Sequence, residues 1–102
     1  MFNSQGTIFM ESSRDLEGCT IGIFGVPYDG TTSFRPGTRF GPAAIREVST
    51  GLETYCPRLK LDLANINFAD LGCLEIPIGE PNRVITAVRK ATENIISESL
   101  KP

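Results

Sequence analysis

Histidine is missing from all 102 residues, and with it the commonest metal ligand and the commonest general base at neutral pH. Ser/His and Cys/His nucleophile pairs and His-ligated zinc are excluded, so any chemistry carried here must use carboxylates. No apolar stretch approaches the roughly 20 residues needed to span a bilayer. The apolar cluster Ile8, Phe9 and Met10 is too short for a secretion-signal core and is followed by Glu11, Arg14, Asp15 and Glu17; the expected location is the cytoplasm. Neither G-x-G-x-x-G nor Gly-Lys-Ser/Thr occurs, which removes the common phosphate-binding loops. There is no run of one charge: acidic and basic residues are interspersed, the net charge is -2 and the pI is near 5.0, so no nucleic-acid footprint is expected. Cysteines are few. Cys19, Cys56 and Cys73 are odd in number and widely spaced, fit neither a disulfide framework nor a CxxC site, and read as small core residues.

What is present is a soluble globular chain, 40% hydrophobic, without repeats or linkers, read as a single unit over 1–102 with no second domain. Residues 20–26 carry β-branched Ile21, Ile23 and Val26 without polar alternation, which predicts a strand covered on both faces in a parallel sheet. Pro27 cannot donate to a ladder and should end it. The following loop, 28–40, contains R-P-G-T-R, in which Pro36 and Gly37 match a type II turn with positive φ at Gly37. Gly41-Pro42 opens a helix, with Gly41 as N-cap and Pro42 as first helical residue. Ala44, Ile45, Val48 and Leu52 form its sheet-facing stripe, and Gly51 stops it.

A second strand is predicted over 66–71, ended by Gly72, with a loop over 73–79. Glu80-Pro81 then starts the clearest helix, whose stripe is Val84, Ile85, Val88, Ala91, Ile95 and Ile96, with Arg89 and Glu93 able to pair across one turn. The order βαβα implies parallel strands with helices on the faces, an α/β class.

Ligands of open parallel sheets bind beyond the carboxyl ends of the strands. Tyr28, Asp29, Thr32, Ser33 and Arg35 are therefore candidates for a pocket rim, with Arg35 or Arg39 holding an anion or a carboxylate. The structural alternative is that Asp29 and Thr32 cap turns while Arg35 and Arg39 bond backbone carbonyls. Arg35 and Arg39 near the helix start at Gly41 could also bind an anion. Asp70 is the best-placed further carboxylate, with Asp62 and Glu75 nearby in sequence. A lone aspartate does not make a two-metal site, and Asp70 is read as capping a turn.

The run GVPYDGTTSFRPGTRFGPAAIRE at 25–47, with its R-P-G-x-R-x-G-P-x-x-I-R spacing, resembles the amino-terminal signature of the ureohydrolases, the manganese-dependent family of arginases and agmatinases, and most of all its agmatinase branch. Ala69-Asp70-Leu71-Gly72 continues the resemblance, although Cys73 stands where the family has aspartate. The resemblance implies a βαβα amino-terminal portion, about the first third, of a three-layer α/β/α fold around a parallel sheet. It implies an intact enzyme in which a metal-bridged hydroxide attacks a guanidino carbon, as in agmatine, and releases urea. The family's three metal-binding segments, Gly-Gly-Asp/Glu-His, Asp-Ala-His-x-Asp and Ser-x-Asp-x-Asp-x-x-Asp-Pro, do not occur here. The expectations are thus no catalytic residue, metal ligand or cofactor in this chain, two manganese ions only in the full-length enzyme, and no activity alone. The chain is expected to complete its sheet by homo-oligomerisation or association with the remainder of the protein, without nucleic acid or membrane partners. A stand-alone α/β binding or assembly module without catalysis is the alternative.

Overall fold

β-branched Ile21 and Ile23 alternate with glycines that let neighbours approach closely, and this stretch forms the strand β2, Ile21–Gly25. In the computed structural model, which describes residues 1–4, 6–30, 37–76, 80–98 and 100–102, β2 runs parallel to β5, Phe68–Leu74. A short strand β1, Phe2–Asn3, pairs antiparallel with the other edge of β5, so the sheet order is β1-β5-β2. The predicted parallel pair is present, but the antiparallel edge strand had no signal in its two residues. Two further short strands, β3 (Tyr55–Cys56) and β4 (Leu61–Asp62), make a separate antiparallel hairpin.

The second strand lies later than expected, at 68–74 rather than 66–71, and Gly72 sits inside it. Ile23 pairs with Asp70 and Gly25 with Cys73, so two steps on β2 match three on β5. That extra residue makes a bulge, and Gly72 takes φ +93 within it. A Cβ at Gly72 would overlap the Asn3 carbonyl oxygen and lie 2.7 Å from Ser4 Cα. Glycine is required there for packing as well as for φ. Cys73 and Leu74, expected in a loop, are strand residues because the chain continues past the bulge; Pro77, Ile78 and Gly79 lie outside the described residues.

Between β2 and β5 the chain forms the helix α1, Gly41–Ser49, preceded by a 3-10 turn at Thr38–Phe40. Gly41 has helical φ/ψ, so it is the first helical residue and not the cap; Pro42 follows it within the first turn, where no N–H is needed. The expected sheet-facing stripe is the reverse of what is found. Ile45, Val48 and Leu52 are 58%, 67% and 59% exposed, whereas Arg46 and Ser49 are buried. Two long-range polar contacts, described below, turn this helix.

The second helix, α2 (Pro81–Ser97), buries Val84, Ala91 and Ile95 and half-buries Val88, but leaves Ile85 and Ile96 exposed. Its ion pair joins Arg83 to Glu80 at 3.1 Å; among the described residues Arg89 and Glu93 form none. Ile95 lies against Gly22, and Pro42 lies against Gly25. Because alternate strand residues face opposite sides, α2 covers one face of the sheet and α1 the other. The core sits between β5 and α2, around Ala69, Leu74, Ala91 and Ile95. The three cysteines, expected as small core residues, are free and half-buried.

Candidate functional site

Asp70 is flanked by apolar neighbours in the central strand, where an unpaired carboxylate would be costly. It is 2% exposed and is answered by Arg46, itself 8% exposed. Arg46 Nε donates to Asp70 Oδ2 at 2.6 Å and Nη2 to Oδ1 at 2.8 Å, a two-point pairing. Arg46 Nη2 also donates to the Gly72 carbonyl at 3.0 Å, and Nη1 to Cys73 Sγ at 3.0 Å. The Gly72 bulge is what makes this possible. It brings both Asp70 and Cys73, three positions apart, to the α1 side of the sheet, which simple alternation would not do.

The carboxylate also holds backbone. Phe9 N–H donates to Oδ2 at 2.9 Å and Gly72 N–H to Oδ1 at 3.0 Å. Ser49 Oγ accepts from Met10 N–H at 2.9 Å and donates to the Arg46 carbonyl. Met10 and Glu11 both have positive φ, and Ser49 and Asp70 hold this segment through the Met10 and Phe9 N–H groups. The expectation that Asp70 caps a turn covers only its bond to Gly72; its main partner is a guanidinium 24 residues away.

Burial pushes the Asp70 carboxyl pKa up, but the Arg46 hydrogen bonds and the Phe9 and Gly72 N–H groups outweigh it and hold the value below the ordinary aspartate range. The Arg46 pKa is raised, chiefly by its hydrogen bond to Asp70. A carboxylate with a lowered folded pKa adds stability that is complete above the unfolded value, about 3.9, and is lost as pH falls through the folded value. Denaturant midpoints should therefore be flat from neutral pH to about 5 and drop below it. Asp70→Asn should flatten that acid limb, and an unchanged limb would show that other carboxylates set it.

Asp29, just beyond the carboxyl end of β2, bonds to Gly37 and Arg39. Its Oδ2 accepts from Gly37 N–H at 2.7 Å, and Arg39 Nη1 lies 3.3 Å from both carboxylate oxygens. Burial acts to raise the Asp29 pKa, but the Gly37 N–H and Arg39 lower it below the usual value. Arg39 also lies over the Phe40 ring, 4.7 Å from its centre. Among the described residues its partner is the chain's own carboxylate. Tyr28 is half-buried, and its hydroxyl would lie 2.6 Å from a Cβ at Gly30. Gly37 has φ +148, so its need for glycine is met, while Pro36, Thr32, Ser33 and Arg35 lie outside the described residues. Of the expected rim, Tyr28 and Asp29 are adjacent on one described loop end.

Two manganese ions require several carboxylate or imidazole ligands converging on ions ~3.5–4 Å apart. Among the described residues no three His, Cys, Asp or Glu side chains converge in that way. Asp70, the best-placed carboxylate, has both oxygens committed to Arg46 and to backbone N–H groups. These residues do not fit such a centre. No helix among them is long and apolar enough to cross a membrane.

The chain is similar to known proteins in sequence and in fold. The chain is 41% identical over 97 residues to the agmatinase of Bacillus subtilis, an alignment covering 95% of this chain and 33% of that protein. The crystal structure of agmatine ureohydrolase of Thermoplasma volcanium superposes with a TM-score of 0.84 at 27% identity, over 94% of this chain and 32% of that one. Proclavaminate amidino hydrolase of Streptomyces clavuligerus gives a TM-score of 0.79 at 30% identity, covering 92% and 32%. The chain thus spans about a third of the length of the relatives it matches, and its structure is an α/β portion of their fold. The sequence model of the arginase family matches residues 19–102, and the chain belongs to that family.

Proposed function

We propose that this chain forms the first strand, loop and helix of a ureohydrolase that hydrolyses a small guanidino compound of the agmatine type and releases urea, and that the loop 26–40 supplies part of the substrate-pocket rim. The observation that carries the reading is the Asp29 clasp at the carboxyl end of β2, where ligands of parallel sheets bind. There the Asp29 carboxylate ties Gly37 N–H to Arg39 across the loop. On this reading Tyr28 and Asp29 shape one side of the rim, and Thr32 and Arg35 are further rim residues. Manganese, which the family resemblance implies, finds no donor set among the described residues, so the reading assigns this chain pocket shape and scaffold, not metal chemistry.

The test is a chimera in which this chain replaces the matching third of Bacillus subtilis agmatinase. Urea release from agmatine should survive the exchange, and the 102-residue chain alone should release none. Asp29→Ala in the chimera should lower kcat/KM by roughly tenfold or more, the scale of one charge-assisted hydrogen bond. A chimera that folds cooperatively and releases no urea would overturn the reading in favour of a non-catalytic assembly module.

A further inference from the structure

Gly30 is a glycine for room and not for backbone conformation. It does not lie in the left-handed region, yet a Cβ there would be 2.6 Å from the Tyr28 hydroxyl oxygen and 2.8 Å from Cε2 and Cζ of the same ring. The outer end of the Tyr28 ring thus takes the space that any other residue at position 30 would fill. The ring starts from a fixed base. Tyr28 N–H donates to the Val26 carbonyl at 2.9 Å, a three-residue turn around Pro27 just beyond β2, and the next residue is Asp29, bound to Gly37 and Arg39. The backbone is held on both sides of the side chain. Its hydroxyl is free to meet a ligand: among the described residues it has no hydrogen-bond partner, and it is not sealed from solvent.

We propose that Gly30 is a positioning residue and Tyr28 a specificity-determining one: Gly30 gives the ring its seat, and the Tyr28 hydroxyl hydrogen-bonds the far end of the substrate, a primary amine carried on an alkyl chain. The proposal rests on the ureohydrolase reading and adds to it which end of the guanidino compound this part of the rim reads. A phenol suits that end in two ways. Its ring carbons pack against methylenes, and its oxygen accepts a hydrogen bond from an ammonium. A carboxylate terminus fits less well, because the basic side chain on the described ends of the loop, 26–30 and 37–40, is Arg39, which lies on Asp29. A substrate ending in a methyl group would leave the hydroxyl unpaired, and a site built to hydrogen-bond a polar end rejects the analogue that lacks it.

The experiment takes the chimera with Bacillus subtilis agmatinase and compares kcat/KM for agmatine with that for butylguanidine, which has hydrogen in place of the amine. Tyr28→Phe removes only the hydroxyl and should lower the preference for agmatine roughly tenfold, the scale of one hydrogen bond to a charged group, through KM and not kcat. Gly30→Ala should lower the same ratio by a similar factor, because the added methyl displaces the ring end that carries the hydroxyl. The double variant should lose no more of the ratio than Tyr28→Phe alone, since the hydroxyl is already gone. Tyr28→Phe leaves the seat at Gly30 intact, so it tests the hydroxyl even if Gly30→Ala fails to fold. A merely structural role for Gly30 would slow both substrates alike and leave the ratio where it was, and that result would overturn the assignment of Gly30. An unchanged ratio in Tyr28→Phe would overturn the proposal as a whole, while an active chimera would leave the ureohydrolase reading standing. A cooperatively folded chimera that releases no urea from either compound would overturn both.

Discussion

Replacing Asp70 by Asn should destabilise the fold by about 3–5 kcal/mol, the usual result of leaving one member of a buried ion pair without its partner. The change is nearly isosteric, so the loss would be electrostatic and not steric. Arg46, 8% exposed, would keep its charge with no counter-ion, and the Phe9 and Gly72 N–H groups would face a weaker acceptor. Against a typical total of about 5–15 kcal/mol, that loss is large. It should be read as a lower denaturant midpoint and as faster amide exchange at Phe9 and Met10, because Asp70 and Ser49 hold that segment together. The double variant Arg46→Met with Asp70→Asn should lose less than the sum of the single variants, since each alone strands the other group. Additive losses would show that the two side chains do not act as a pair.

Gly72→Ala should cost about 2–5 kcal/mol, combining an L-residue at positive φ with steric overlap against backbone. The added methyl would meet the Asn3 carbonyl and Ser4 Cα, neither of which can rotate away as a side-chain tip could. Relief would require β1 to leave β5, so the variant should lose protection first at Glu75 N–H, which donates to the Met1 carbonyl at 2.9 Å. Gly41→Ala, at a helical position with nothing within 4 Å of the added carbon, provides the contrast and should be neutral or slightly stabilising. Equal midpoints for Gly72→Ala and the parent would mean that β1 is not seated on the bulge.

Much of the chain was legible without coordinates where the signal was local. The run around Ile21 to Val26, ahead of Pro27, read as a strand, found at Ile21–Gly25 although only Gly22 of it is fully buried, and Pro42 and Pro81 marked helix starts because proline is tolerated where no N–H is required. The 3.6-residue stripe of α2 identified Val84, Ala91 and Ile95 correctly as inward. The same logic misplaced α1. Its apolar stripe is genuine, but which face turns inward was decided by Arg46 finding Asp70 and by Ser49 finding Met10 N–H. Likewise Gly72 read as a terminator, because glycine after an apolar run marks a strand end and a bulge equally well.

For the site, the sequence alone determined the loop and its chemistry: a carboxylate at Asp29, arginines flanking Pro-Gly, no imidazole, and a motif spacing that placed the chain in its family. Only the tertiary structure decided how those groups are used. Asp29 closes on Gly37 and Arg39, and Asp70 is committed to Arg46 instead of standing free. The physical reason is one of range. Strand, helix and turn signals reflect backbone preferences a few residues long, whereas the pairing of a buried charge is chosen by whichever partner the packed sheet brings within 3 Å, here across 24 residues and through a one-residue bulge.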